Sequence, residues 1–314
     1  MRRLFLLLAL TLAVCSLSAD RWAVVSIPVT CMRSAPSHAA EQCSQAIIGT
    51  PVRITGEKGE WYKVDTPDGY AGWVKSNTVN PISDHELQNW KSASRVVCKS
   101  WLTRLYDDNG SPAGYAPYGA LLQTVQEESD KSHGLIPVYA PGCPGRLHVR
   151  TEDVWTSTAD WTDSFTDADA ATVIGTARSM LGAPYLWGGA SSLAPDCSGF
   201  TQIAFMSAGM LLPRDTSIQI KCGVEVPSLD LALPGDLVFY GNNGRVNHVA
   251  IYLGDKKIIH SSGHVRICRM EPVDGAEELY TDTPMCIRRV LGVPSAKGEA
   301  APGVPAIAGN PWFF

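Results

Sequence analysis

Pro184-Tyr185-Leu186-Trp187-Gly188-Gly189 and, a short way on, Asp196-Cys197-Ser198-Gly199-Phe200 are the stretch on which the reading of this chain turns. Phe200, Ile203, Ala204 and Phe205 recur at helical spacing up to a stop at Gly209, so Asp196 to Ala208 reads as a helix. Cys197 then falls in the first turn, where unpaired N–H groups and the positive end of the helix dipole favour a thiolate. The thiolate is the form that attacks carbonyl carbon. An ordinary buried or disulfide-bonded cysteine would suit the same position, so a base has to be found.

Upstream, Asp167 to Leu181 reads as another helix. Asp167 or Asp169 can cap it, Val173, Ile174, Ala177 and Leu181 keep helical spacing, and Gly182 stops it. Downstream the pattern is of strands: Asp236 to Tyr240, His248 to Leu253, Lys257 to His260, Val265 to Cys268 and Cys286 to Val290. Helices followed by strands predict an α+β domain over residues 165–293, with an irregular Ala/Gly/Pro-rich tail over 294–314. Gly254-Asp255 turns one strand into the next, which sets His248 and His260 at the same end of adjacent strands. One can accept the thiol proton while the other orients it. Two solvated strand-end histidines remain the alternative on spacing alone.

The N-terminal half has a different texture. From Trp22 to about Pro81, β-branched and aromatic runs alternate with Gly56, Lys58-Gly59, Pro67-Asp68-Gly69 and Asn77, which suits a small barrel over residues 20–82. Residues 83–160 repeat the style less clearly, with strands at Ala93 to Leu105, Ala120 to Val125 and Gly134 to Tyr139 around the turn Asp107-Asp108-Asn109-Gly110. Twenty-eight glycines, 21 prolines and nine tryptophans favour such turn-rich β structure over a helical bundle. Arg2-Arg3, the apolar run Leu4 to Val14 and the small residues through Ala19 read as an export signal over residues 1–19. Leu12-Ala13-Val14-Cys15 loosely resembles a lipobox, which makes Cys15 a candidate lipid anchor; periplasm or cell envelope is the expected location. No later apolar run reaches the roughly 18 residues of a membrane span.

A net charge of −5 supplies no cationic field for nucleic acid, and an apolar content of 45% excludes a disordered chain. Without a C-x-x-C pair, zinc and dithiol redox readings are weak, and no metal or organic cofactor is expected. In an oxidising compartment Cys31–Cys43 and Cys98–Cys143 are the local disulfide candidates.

Asp-Cys-Ser-Gly-Phe after Pro-Tyr-x-Trp-Gly-Gly, then Pro-Gly-Asp-Leu-Val-Phe-Tyr, Asn-His-Val-Ala-Ile-Tyr-Leu-Gly and Ile-Ile-His, closely resembles the NlpC-type cell-wall peptidases. The resemblance implies a papain-like catalytic domain with Cys197 as nucleophile, His248 as base and His260 as orienting residue. It also implies Tyr185 near the oxyanion, with Trp187, Asp196 and Ser198 lining a γ-D-Glu subsite. Gly-Glu-Trp-Tyr-Lys-Val and Gly-Tyr-Ala-Gly-Trp-Val are similar to the bacterial SH3-like domains found beside such enzymes. Two SH3-like barrels before the peptidase look most like the dipeptidyl-peptidase VI subgroup, which acts on peptidoglycan peptides with a free N-terminal L-Ala. There an acid in Pro-Arg-Asp, here Asp215, binds the ammonium; Glu41 and Tyr70 of the first barrel match the residues that close the pocket. A related amidase or acyltransferase, or a non-catalytic wall-binding protein, would share parts of this pattern.

Overall fold

Along Arg21–Val25, Val29–Arg33, Gln42–Ile47, Pro51–Lys58, Trp61–Asp65, Ala71–Lys75 and Val79–Ile82, apolar side chains turn inward around Val25, Met32, Val52, Val64 and Val74. These strands pair antiparallel in the order third, second, sixth, fifth, fourth, first, seventh. The structure is a computed structural model and describes residues 21–125, 134–143, 145–272 and 278–314; the export signal and Cys15 lie outside the described residues. A second seven-stranded sheet, from Arg95–Cys98 to Val154–Trp155, repeats the same strand order. In both units a 3₁₀ turn, Ser76–Thr78 or Thr151–Asp153, precedes the last strand. The two barrels thus share one topology although no sequence repeat marks it.

Four points of the sequence reading shift here. Ala93 to Leu105 is two strands, Arg95–Cys98 and Leu102–Tyr106, rather than one. Between the barrels lies a helix, Asp84–Ser92, that the sequence reading passed over; Ser83 and Glu86 form a reciprocal cap at its start. The boundary placed after residue 160 cuts the helix Thr158–Asp163, whose Trp161 is 1% exposed among Trp155, Phe165 and Phe313. The tail, expected to be irregular, makes a short ribbon, Glu299–Ala301 with Val304–Pro305, and buries Ala301, Val304, Ile307 and Phe313. Apolar residues spaced along a Gly/Pro-rich stretch can wedge between domains without forming regular structure.

The C-terminal domain is the α+β unit. Six antiparallel strands run in the order Val224–Glu225, Pro284–Arg289, Leu237–Asn242, Arg245–Gly254, Lys257–Ser262, His264–Arg269. Period-two alternation turns Leu237, Phe239, Val249, Ile251 and Ile259 toward the helices Ala170–Ser179 and Cys197–Met206. The opposite face carries Val238, Tyr240, Ala250, Tyr252, Ile258 and Cys268. Both faces are therefore covered, and the helix that opens on Cys197 is locked against the sheet through Phe200, Ile203 and Phe205. Gly199 sets how closely that helix start can lie: a Cβ there would meet the carbonyl oxygen of Gly189 at 2.0 Å.

All eight described cysteines are free thiols. The Cys31–Cys43 pairing does not form, because Cys31 stands opposite Gln45 in the ladder and points to solvent, while Cys43 is half-buried and donates to the Met32 carbonyl. Nor does Cys98–Cys143 form: Cys98 is buried in the second barrel and Cys143 is exposed.

Candidate active site

Helix Cys197–Met206 places its first residue at the meeting of loop, helix and sheet. Asp196 is its N-cap and accepts from the Gly199 N–H at 2.8 Å. The Cys197 thiol is 7% exposed, with the backbone N–H groups of Val249 and Ser198 facing its sulfur. The helix start was expected to favour a thiolate. Instead burial, together with the Asp196 carboxylate, pushes the thiol up to about 11, outweighing those N–H groups and Arg214. The free site therefore holds a neutral thiol.

His248 is on the strand Arg245–Gly254, next in sequence to Val249, whose N–H faces the Cys197 sulfur. Pairing of Ile251 with Ile259 sets His248 and His260 diagonally on one face of the sheet, and His248 Nε2 meets His260 Nδ1 at 2.7 Å. Neither ring is a solvated strand-end histidine; His260 is fully buried. Burial pushes His248 down to about 4, with Arg266 adding to the shift and Asp282 opposing it. Burial, His248, Arg266 and His264 push His260 down to about 3. Tyr280 packs against both rings, 5.5 Å from the His248 centroid and 4.8 Å from that of His260. The sequence reading missed Tyr280, which sits in an unpatterned stretch between strands.

Both histidines fold neutral and charge on unfolding, so the unfolded chain binds more protons below the ordinary histidine range near 6.5. Stability is fully present above that range and falls as pH drops toward 4. Urea midpoints are expected to decline between about pH 6.5 and pH 4 in the parent and more shallowly in His260→Gln. Parallel profiles in the two proteins would contradict a buried neutral pair.

One cavity of about 320 Å³ joins the first barrel to the catalytic domain. Tyr185, Trp187, Asp196, Cys197, Ser198 and Asp215 line it from one side, Glu41 and Tyr70 from the other. Of the residues expected from sequence, His248 and His260 are not among those lining the cavity; the other eight are. Burial first of all, with the nearby Asp196 carboxylate adding to it, pushes the Tyr185 hydroxyl up to about 12, so it is a donor. Asp215 stands at the N-cap position of the helix Thr216–Gln219 yet caps nothing. Desolvation raises its pKa against the pull of Arg214. A larger cleft, about 540 Å³, lies on the second barrel around Tyr106 and Arg150 and holds no nucleophile.

Two of the lining residues also bond within the protein. Asp196 lines the cavity as expected, and its oxygens accept from Gly199 N–H and from Arg214, whose guanidinium also donates to Ser198 Oγ at 2.9 Å and Ser44 Oγ at 3.1 Å. Trp187 lines the cavity, but its indole N–H donates to Glu41 Oε1 at 2.8 Å and so props the barrel's carboxylate. Gly188 makes that closeness possible: its φ is +72°, and a Cβ would lie 2.5 Å from the Gln42 carbonyl oxygen. Arg214 was noticed only as the neighbour of Asp215. Its lone cation in a polar loop gave no sign of a buried clamp.

Residues 182–283 match the model of the NlpC/P60 family, and residues 32–79 match the bacterial dipeptidyl-peptidase SH3 domain. A γ-D-glutamyl-L-lysine dipeptidyl-peptidase of Bacillus subtilis (strain 168) is 31% identical over 229 residues, covering 69% of this chain and 71% of its own. Dipeptidyl-peptidase 6 of Lysinibacillus sphaericus is 26% identical over 264 residues, 82% of this chain and 94% of its own. A crystal structure of an NlpC/P60 family protein from Bacillus cereus ATCC 10987 superposes with a TM-score of 0.71 at 24% identity, covering 85% of this chain and 99% of that one. That last likeness bears on the fold alone.

Proposed function

The chain belongs to the NlpC/P60 family of cysteine peptidases, and from that premise we propose that it acts on peptidoglycan, hydrolysing the γ-D-glutamyl bond to L-Lys or meso-diaminopimelate in peptides with a free N-terminal L-Ala and releasing L-Ala-γ-D-Glu. We place this work outside the cytosol, in wall turnover or recycling, consistent with the N-terminal export pattern. The observation that supports it is the shared wall: carboxylates from two domains, Glu41 and Asp215, line the same cavity as Cys197.

In this reading Cys197 Sγ attacks the γ-carbonyl as His248 takes the thiol proton. The neutral His248, held by His260, is in the protonation state a base needs at pH 7. Tyr185 donates a hydrogen bond to the developing oxyanion. His248 then returns the proton to the leaving amine, and water releases the γ-glutamyl acyl group from Cys197. Asp215 and Glu41 receive the substrate ammonium, and Tyr70, whose hydroxyl is held neutral by burial and by Asp215, closes the wall beside the alanine methyl.

A charge-assisted hydrogen bond in such a pocket is worth roughly 1.5–3 kcal/mol. Asp215→Ala is therefore expected to lower kcat/KM on L-Ala-γ-D-Glu-L-Lys by about ten-fold or more. N-acetylating the tripeptide should block the parent enzyme and add little further loss in Asp215→Ala. Equal cleavage of free and acetylated peptide by the parent would overturn the amine-reading pocket. Amidase or acyltransferase action would show instead as different products in the mass spectrum.

A further inference from the structure

The hydrogen-bonded chain behind the nucleophile does not end at the second histidine. His260 stands opposite Arg266 on the strand His264–Arg269, and Cys268, one pleat further along the same face, brings its Sγ to 3.3 Å from His260 Nε2. Cys268 is 1% exposed, its neighbours on that face being Tyr240, Tyr252, Ile258 and Tyr280. Water does not reach it, and it has no disulfide partner. Arg266 Nε donates to the same His260 Nε2 at 3.5 Å, and its guanidinium also forms an ion pair with Glu278 at 2.6 Å.

These contacts decide a tautomer. For His248 to take the Cys197 proton on Nδ1, its Nε2 must carry hydrogen and donate to His260 Nδ1 across the 2.7 Å contact. His260 Nδ1 is then an acceptor, so its own proton must sit on Nε2, which faces Cys268. Arg266 pulls the other way: its Nε–H can only donate, and it favours a bare Nε2. A bare Nε2 would put the His260 proton on Nδ1, make His248 Nε2 the acceptor, and leave His248 with Nδ1 already protonated. That form cannot serve as base.

We infer that Cys268 is a positioning residue whose sulfur accepts the His260 Nε2–H, holding both histidines in the tautomer that leaves His248 Nδ1 free for the Cys197 proton. The inference rests on Cys197 and His248 being nucleophile and base, and extends that pair to a four-residue line, Cys197, His248, His260, Cys268.

The first test needs no substrate and no variant. In the full chain with ¹⁵N-labelled histidine at neutral pH, His260 and His248 should both show the nitrogen shifts of an Nε2–H imidazole. Finding His260 protonated on Nδ1 would overturn the inference while leaving the proposed substrate untouched. The second test uses turnover. Cys268→Ala should lower kcat by about ten-fold, the scale of one lost hydrogen bond, with KM unchanged, and should move the His260 proton to Nδ1. Cys268→Ser, which restores an acceptor, should recover most of the kcat and the parent tautomer. Loss in Ser equal to that in Ala, with His260 still protonated on Nε2, would mean that Cys268 only fills space and would sink the inference.

Discussion

Replacing Cys197 by Ala is expected to leave no measurable turnover, a loss on the order of 10⁶ in kcat when a nucleophile of this kind is removed. The same change should leave the fold in place, because the helix is held by Phe200, Ile203 and Phe205 and capped by Asp196, none of which needs the thiol. Cys197→Ser is the stricter control: its hydroxyl keeps an acceptor for the Val249 and Ser198 N–H groups, yet it is a far poorer nucleophile without a thiolate. Because the free thiol is neutral, its activation depends on His248, and His248→Ala should cost roughly 10²–10⁴-fold. Muropeptide hydrolysis followed by mass spectrometry, with far-UV circular dichroism as the fold control, separates the cases. Turnover by Cys197→Ala above a few per cent of the parent would remove Cys197 from the mechanism.

What could be read in advance divides along physical lines. The placement of Cys197, His248 and His260 and the α+β order were legible because each rests on local pattern: period-two alternation fixes which strand residues share a face, and a helix start fixes where Cys197 sits. Even the His248–His260 contact follows from a short hairpin. The second barrel was legible only in style, since strand order depends on long-range pairing that two dissimilar sequences can share. The helix Asp84–Ser92 carried a readable signal in Ser83-Asp84-His85-Glu86, a capping pattern that the surrounding β texture obscured. The ionisation of Cys197 could not be judged from its helix position. The helix end and the burial act in opposite directions, and only the structure shows how little of the thiol meets water. The role of Arg214 was out of reach for the same reason, because all its partners come from distant parts of the chain.

That clamp is where the largest effect on folding is expected. Arg214 is 2% exposed and reaches both oxygens of Asp196, the Ser198 hydroxyl and the Ser44 hydroxyl of the first barrel. Burial works against its charge, and the Asp196 carboxylate reverses that, holding the guanidinium above its ordinary range. Arg214→Ala would leave Asp196, itself only 6% exposed, as an uncompensated buried carboxylate, a change worth about 3–5 kcal/mol. It would also cut the polar link between the barrel and the helix that opens on Cys197. Arg214→Lys should not rescue it, since one ammonium cannot reach two carboxylate oxygens and two hydroxyls with a planar fork's geometry. Adding Asp196→Asn to Arg214→Ala should recover part of the loss by removing the orphaned charge, although Asn still caps the helix. Urea unfolding of the parent, both single variants and the double gives the coupling directly. If Arg214→Ala lies within about 1 kcal/mol of the parent, the pair is a solvated contact and not the clamp that fixes the helix opening on Cys197 against the first barrel.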